Sequence, residues 1–399
     1  MKRPLIAPAR AILLAIAALA PVLTGGCGNE ERSGVTVVHE LRGDTVLMVS
    51  SGEPERVRVE EVEVLWQSDE FEGILPRMAR VGDHLVIGDL FRIHVVSLED
   101  GGAHTFGRQG QGPGEFGGAI WSVGGFGPET FAAYDGSNTL LFSLEGEFLD
   151  SHEPTPRLPF TQPVMGGSAR DRPSYPLVKS GSGVLWEKAS SWEEKEGTGI
   201  ERKALLWHDL EADTAAVLET WDYIRDPGAA FGELVKHAIA SDGRVATGYP
   251  ADYCIRLFHA FEEGGRTGCR ERSRVAIEAS FNDVSGLDWA GRDQLAQELK
   301  ANPVGGFLPH FDRLLFSASG DLWVNLYHDE YAHVHRLFYT LKDWKPTVHE
   351  WEVFDREAVL VRHVTLPGAF DLRVIGDGEG FGFLTLDTGE VVIGRVDLT

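Results

Sequence analysis

The chain has 399 residues, 43 % of them hydrophobic and 10 % aromatic, so it can bury a sizeable core and is not globally disordered. Its 47 glycines follow no Gly-X-Y period and form no Gly/Ser tract, which sets aside collagen-like and long-linker readings. A formal net charge of −24 argues against nucleic acid as a partner, because such a surface repels a phosphate backbone.

The first element reads as an export leader. Lys2, Arg3 and Arg10 make a positive start, and Ala11 to Leu23 is an apolar stretch interrupted by Pro21. A membrane span needs about 20 residues, so this stretch fits a signal-peptide core better. Cleavage after Ala18-Leu19-Ala20 would leave Pro21 first in the mature chain, an awkward site for signal peptidase. Leu23-Thr24-Gly25-Gly26-Cys27 instead resembles a bacterial lipobox, with Thr24 in the slot where leucine usually stands. That resemblance implies a lipoprotein signal peptide over residues 1–27, lipidation of Cys27 and a short tether over 28–34. Membrane contact would then run through the lipid anchor only, at ~0.8 kcal/mol per buried CH2. With no Asp following Cys27, the expected address is the outer membrane, facing periplasm or exterior. Cys254 and Cys269 remain as an even pair in an oxidising compartment, either as a disulfide or as two buried thiols.

Next, Val35 to Val49 alternates around Arg42-Gly43-Asp44, which reads as a hairpin turn and not as an adhesion motif. From there one theme repeats: short strand, polar turn, strand, Gly/Asp turn. The clearest unit runs from Asp83 to Gly107, and a related one from Thr130 to Asp150. Weaker copies span Gly183 to Leu210, Asp242 to Arg270, Gly320 to Leu366 and Asp371 to Leu398. Units of four strands recurring every few tens of residues mark propeller blades. The expected fold over 35–399 is all-β, a six-bladed β-propeller of four-stranded antiparallel blades. An N-terminal strand, from Val35 to Val49 or Glu61 to Trp66, closes the ring. One short helix is expected over Asp288 to Lys300, with Leu295 and Leu299 on its buried side and Pro303 beyond it. Charged insertions are expected at Ser190 to Lys203 and Ala229 to Ala240, and an extended segment at Tyr327 to Glu350.

The most specific string is Phe106-Gly107-Arg108-Gln109-Gly110-Gln111-Gly112-Pro113-Gly114-Glu115-Phe116. It resembles the signature of a bacterial six-bladed β-propeller family, relatives of the NHL-repeat propellers that are often exported lipoproteins. Gly43-Asp44-Thr45-Val46, Gly320-Asp321-Leu322-Trp323-Val324 and the stretch Val353 to Pro367 resemble that family too. The resemblance implies a fold and is nearly silent on activity. Physically, the four glycines permit positive φ, Pro113 fixes a turn, Phe106 and Phe116 pack between blades, and Glu115 satisfies backbone amides. A phosphate cradle would need Gly-Lys-Ser/Thr opening a helix, which is missing here.

For chemistry, His328, His333 and His335 are the densest set of potential metal ligands. Two imidazoles two residues apart on a strand point the same way and could share a divalent metal, with Asp329 or Glu330 completing the set. The competing reading is an exposed loop that carries several of the chain's 14 histidines. Asp89, Asp135 and Asp252 fall at corresponding strand ends and either ring the central channel or cap their own turns. Trp186, Trp192, Trp344 and Trp351 flank the insertions; exposed indoles would suit a glycan, while Trp323 and Trp351 suit blade packing. No nucleophile elbow, HExxH or paired-cysteine zinc motif is present. The functional expectation is a membrane-tethered, exported binding module for a protein or glycan ligand. The alternative is a metal-assisted, lactonase-like hydrolase or lyase at the central channel.

Overall fold

The computed structural model describes residues 29–32, 35–42, 45–69, 71, 76–152, 183–195, 198–209, 214–225, 235–240, 242–250, 253–259, 265–270, 310–327 and 348–399. Five strands precede the repeats: β1 (Asn29–Arg32), β2 (Val35–Arg42), β3 (Thr45–Gly52), β4 (Glu55–Arg58) and β5 (Glu63–Trp66). Then come the meanders, each neighbour pair antiparallel. One blade holds β6 (Arg77–Val81), β7 (His84–Asp89), β8 (Arg92–Ser97) and β9 (Ala103–Phe106). The next holds β10 (Ser122–Gly125), β11 (Thr130–Tyr134), β12 (Thr139–Ser143) and β13 (Phe148–His152). A sheet of β14 (Gly183–Lys195), β15 (Thr198–Asp209) and β16 (Thr214–Arg225) follows.

The chain continues with a blade of β17 (Lys236–Ile239), β18 (Arg244–Tyr249), β19 (Cys254–His259) and β20 (Gly265–Arg270). After it stand β21 (Phe311–Phe316), β22 (Leu322–Leu326), β23 (Val348–Phe354) and β24 (Leu360–Pro367). The last meander is β25 (Phe370–Ile375), β26 (Glu379–Thr385) and β27 (Val391–Asp397), and β5 supplies its fourth strand.

The blades stand face to face, and that explains their sequences. A strand covered on both faces need not alternate polar with apolar, so β7 carries consecutive buried Leu85, Val86 and Ile87. Phe116, Phe131 and Phe142 fill the space between the first two blades. Tyr253, Phe311 and Phe354 do so between the blades of β17–β20 and β21–β24, and Trp351, Phe370 and Leu372 between the next pair. Leu85, Ile87, Phe381 and Ile393 join the last blade to the first. The innermost strands touch in the order β10, β6, β25, β21, β17, which is the radial arrangement of a propeller.

Six equal four-stranded blades with a short helix are therefore not what forms. Among the described residues, five blades of four or more strands follow the propeller pattern. The remaining sheet, β14–β16, has three strands of 13, 12 and 12 residues, and packs through Leu205, Trp207 and Trp221 onto Val235, Val245 and Phe258. The strands predicted as a blade there are lengthened into a hairpin. Ser190 to Lys203, expected as a charged insertion, continues β14 and β15 in one ladder, with Lys195 opposite Thr198. Main-chain groups make that ladder, so a charge-rich sequence does not prevent it. The blades are not purely antiparallel either, because β3 joins β20 and β4 joins β24 in parallel. Among the described residues there is no helix, and the one expected over Asp288 to Lys300 lies outside them.

Beyond β3, the β17–β20 sheet grows to seven strands through β2 and β1. Residues 45–66 therefore add an outer strand to three consecutive blades. Cys254 and Cys269 sit directly opposite each other on β19 and β20 and are joined in a disulfide, their Cα atoms 4.2 Å apart. Closing a loop of this size removes roughly 3 kcal/mol of unfolded-chain entropy in the usual model.

Candidate functional site

The innermost strands β17, β21 and β25 carry a linked set of charges near their N-terminal ends. Phe311-Asp312 and Phe370-Asp371 open β21 and β25 alike: each Phe is fully buried, and each Asp stands at the inner edge of its blade. Both strands then bulge. The pairing of β21 with β22 skips Asp312, and that of β25 with β26 skips Arg373. A bulge inserts one unpaired residue and re-aims the side chains beside it. Here the bulges bring consecutive charges within reach of neighbouring blades.

Lys236 Nζ donates to Asp312 Oδ1 at 3.0 Å, and the Tyr327 hydroxyl donates to the same oxygen at 3.2 Å. Arg313 donates to Asp371 Oδ1 at 2.8 Å and to the Leu372 carbonyl at 2.9 Å. Arg373 Nε donates to Asp371 Oδ2 at 3.0 Å, and its guanidinium lies 5.6 Å from the centre of the Phe383 ring. The chain of contacts thus runs β17–β21–β25. None of the five charged side chains is sealed off: exposure runs from 24 % for Arg373 to 39 % for Asp312, so a ligand can reach them.

The electrostatics follow from this geometry. Burial works to raise the Asp371 pKa, but Arg313 and Arg373 outweigh it and hold the carboxyl well below the usual carboxylate range. Burial opposes ionisation of Asp312 too, and Lys236 with Arg313 keeps it below its ordinary value. Burial pushes the His349 pKa below its ordinary value, against the pull of Asp371. Three cations then face two carboxylates, in a chain whose overall charge is −24.

Asp371 makes an acid-side prediction. Its folded pKa lies below the unfolded value of about 3.9. The ionised carboxyl therefore contributes stability above that value and loses it as pH falls through the folded pKa. Melting temperature followed from pH 7 to pH 2 should fall on acidification. Asp371→Asn should start lower at pH 7 and show a shallower acid limb; an acid limb of unchanged depth would remove Asp371 from that role.

The residues picked out from sequence fare differently. His328, His333, His335, Cys27, Asp252 and Trp344 lie outside the described residues, as do the side chains of Trp186 and Trp192. Among the described residues no three His, Cys, Asp or Glu side chains gather as a metal-holding group. Asp135 is buried and caps its own turn, accepting from the amides of Ser137, Asn138 and Gly117 at 2.7–2.8 Å. Asp89 is buried with its Oδ2 3.9 Å from His94 Nε2. Trp323 and Trp351 are buried and pack edge to face.

The glycine-rich string crosses from β9 to β10 as a closed turn. Gly107 and Gly114 have φ of +91° and +74°. Gly110 and Gly112 do not need positive φ, contrary to expectation; they lie against the Glu115 side chain, which would collide with a Cβ on Gly110. Glu115 accepts from the Gly112 amide at 2.8 Å and from Arg108 Nε at 2.7 Å, and Phe116 is buried 5.8 Å from Phe142. Arg108, Pro113 and the glycines thus build a turn, with the Gly112 amide turned inward on the Glu115 carboxylate and the Gly110, Glu115 and Phe116 amides on carbonyls of the turn itself.

Lys236, Asp312, Arg313, Asp371 and Arg373 were not singled out from sequence. The available signal was the recurrence of Phe-Asp with a nearby Arg, Phe311-Asp312-Arg313 and Phe370-Asp371-Leu372-Arg373, at the start of successive units.

No family model matches the chain, and no curated protein does. Among solved structures it is similar to a member of the DUF4221 family from Bacteroides vulgatus, at 10 % identity and a TM-score of 0.44, covering 92 % of this chain and 99 % of that one. It is also similar to a protein of Bacteroides fragilis described as exported, at 12 % identity and a TM-score of 0.42, covering 86 % and 98 %. A third likeness, to the Swd1 β-propeller domain of a Myceliophthora species, has 11 % identity, a TM-score of 0.40 and coverage of 84 % and 99 %. At these values none of them assigns an activity or a location. The identification with the NHL-like six-bladed lipoprotein family, read from Gly107 to Phe116, is withdrawn, since no family model supports it and the blades are unequal. The membrane anchor is a separate reading, from the lipobox resemblance of Leu23 to Cys27, and is not carried further, because those residues lie outside the described ones. Among the described residues no helix is long and apolar enough to cross a membrane.

Proposed function

We propose that this chain is an exported binding module that holds an acidic ligand at the N-terminal ends of β17, β21 and β25. The observation that supports this most is Lys236 beside the bulged strands that carry Arg313 and Arg373, three cations drawn from three blades and reachable by solvent. An acidic ligand is repelled by much of a chain of charge −24 and attracted at this locally positive position. The Cys254–Cys269 disulfide supports passage through an oxidising compartment, in keeping with the leader read in residues 1–27. The ligand belongs to a protein or a glycan of the cell envelope.

The test is equilibrium binding of uronic-acid oligosaccharides and of acidic peptides to the purified chain, with Lys236→Ala/Arg373→Ala alongside. One of the two classes should bind with an affinity that falls as salt rises, and the double variant should weaken it about tenfold or more while remaining folded. If neither class binds, or the double variant binds as well as the parent, the reading fails.

A further inference from the structure

Strands β1–β3 form an arm that, among the described strands, pairs with its blade through β20. β3 runs parallel to β20, from Thr45 opposite Gly265 to Ser50 opposite Arg270. The Arg270 guanidinium donates to the Ser50 carbonyl at 3.5 Å. Fully buried Val35 packs into the cluster that holds Tyr253 and Phe311. Each of these contacts depends on where β20 and Tyr253 stand.

β20 itself is held by a short ladder. Four residue pairs join it to β19, and the Cys254–Cys269 disulfide closes the end next to Tyr253 and Arg270. Across that end the Arg270 amide donates to the Tyr253 carbonyl at 3.1 Å. The residues beside the two cysteines then converge on one buried carboxylate of the next blade. The Tyr253 hydroxyl donates to Glu352, and Arg270 Nε lies 3.4 Å from its Oε1. Tyr253 takes a φ of +46°, in the left-handed region that a bulky side chain rarely adopts. Such a conformation persists only where its surroundings over-determine it. The disulfide one residue on is part of that restraint, and neither cysteine is fully buried.

We propose that the Cys254–Cys269 bond is a redox-sensitive latch on the β1–β3 arm. Intact, it holds β20 and the arm on their blade; reduced, it lets them open as a local unit while the remaining blades stay folded. The partner in the exchange is a small dithiol. One of its thiolates attacks a cystine sulfur and expels the other cysteine as a thiolate, giving a mixed disulfide. The second thiol attacks that bond, releases the remaining cysteine and leaves the reagent as a cyclic disulfide. Two electrons and two protons pass to the cysteines, and a disulfide oxidant takes them back. A reducing cytoplasm therefore keeps the arm open, and an oxidising compartment closes it.

Amide hydrogen exchange of the whole purified chain, before and after dithiothreitol, tests this. Reduction should free the two cysteines and speed exchange over Val35–Arg42, Thr45–Gly52 and Gly265–Arg270 by about tenfold or more. Exchange in β6–β9 should stay as it was, and oxidised glutathione should restore the slow exchange of the arm. Cys254→Ala/Cys269→Ala should exchange like the reduced parent, with or without the dithiol. The parent is reduced after it has folded, so the result stands even where that variant does not fold. Cysteines that resist reduction, or an arm whose exchange is unchanged by it, overturn the proposal. So does faster exchange in every blade alike, which would make the bond a staple of the whole fold.

Discussion

Deleting residues 29–66 should abolish cooperative folding of the propeller, although every four-stranded unit from Arg77 to His152 is left intact. The deleted segment serves blades far away in sequence. Without β5, the blade of β25–β27 loses its outer strand, where Trp66 pairs with Ile393 and Val64 with Gly394. Without β4, Val57 no longer covers the cluster of Trp323, Trp351 and Phe370, and Val59 and Val62 leave the same cluster. Without β2, fully buried Val35 leaves the Tyr253 and Phe311 core. The Trp66 ring also lies 5.1 Å from that of His94 in the first blade, tilted against it, so the loss reaches across the ring's closure. A fully buried apolar side chain is worth roughly 1.5–3 kcal/mol, and several partly buried ones together rival the ~5–15 kcal/mol net stability of a domain. The expected result is a chain without a sharp thermal transition that binds a dye for exposed apolar surface. Removing only residues 29–52 strips β1–β3 from one blade and should lower the melting temperature while leaving a single transition. A 29–66 deletion that melts like the parent would show that the outer strands are ornamental.

Much of this architecture was legible from turns and apolar runs. β7 and β8 stand out because a strand buried on both faces reads as a continuous apolar run, and the Val35 hairpin because Arg42 pairs with Thr45 around a tight turn. The units written from Asp242, Gly320 and Thr130 each began one strand late. They missed β17, β21 and β10, whose short polar or glycine-bearing sequences, such as Lys236-His237-Ala238-Ile239, give no alternation to read. β17 and β21 carry Lys236, Asp312 and Arg313, so that part of the site was lost with them, while Asp371 and Arg373 lay inside the unit read from Asp371. Ala229 to Ala240 looked like an insertion for the same reason, although its second half is β17. Blade count failed at β14–β16, because the turns that separate four short strands are absent there and two long ones run through the charged stretch. Strand partners from the opposite end of the chain, such as β4 on β24, leave no local trace at all.

The bulge on β25 depends on a glycine one strand away, and Gly382→Ala should break both the site and the fold around it. Gly382 lies opposite Leu372, where the pairing of β25 with β26 slips by one residue and puts Arg373 out of the ladder. A Cβ on Gly382 would sit 2.2 Å from the Asp371 carbonyl oxygen and 2.8 Å from its carbon. Those are main-chain atoms of the strand carrying the site, so no side chain can rotate away to make room. Overpacking of this kind costs about 1–3 kcal/mol or more, through forced movement of the backbone. Moving Asp371 also breaks its contacts with Arg313 and Arg373, leaving two guanidinium groups without their shared carboxylate. The melting temperature should therefore drop by several degrees, and acidic-ligand binding should fall at least as far as in Lys236→Ala/Arg373→Ala. Gly389→Ala supplies the contrast, because its φ of +84° strains a side chain while no atom lies within 4 Å of its Cβ. It should lose stability with binding intact. If Gly382→Ala behaves like Gly389→Ala, the close approach of β26 to Asp371 does not hold the site in place.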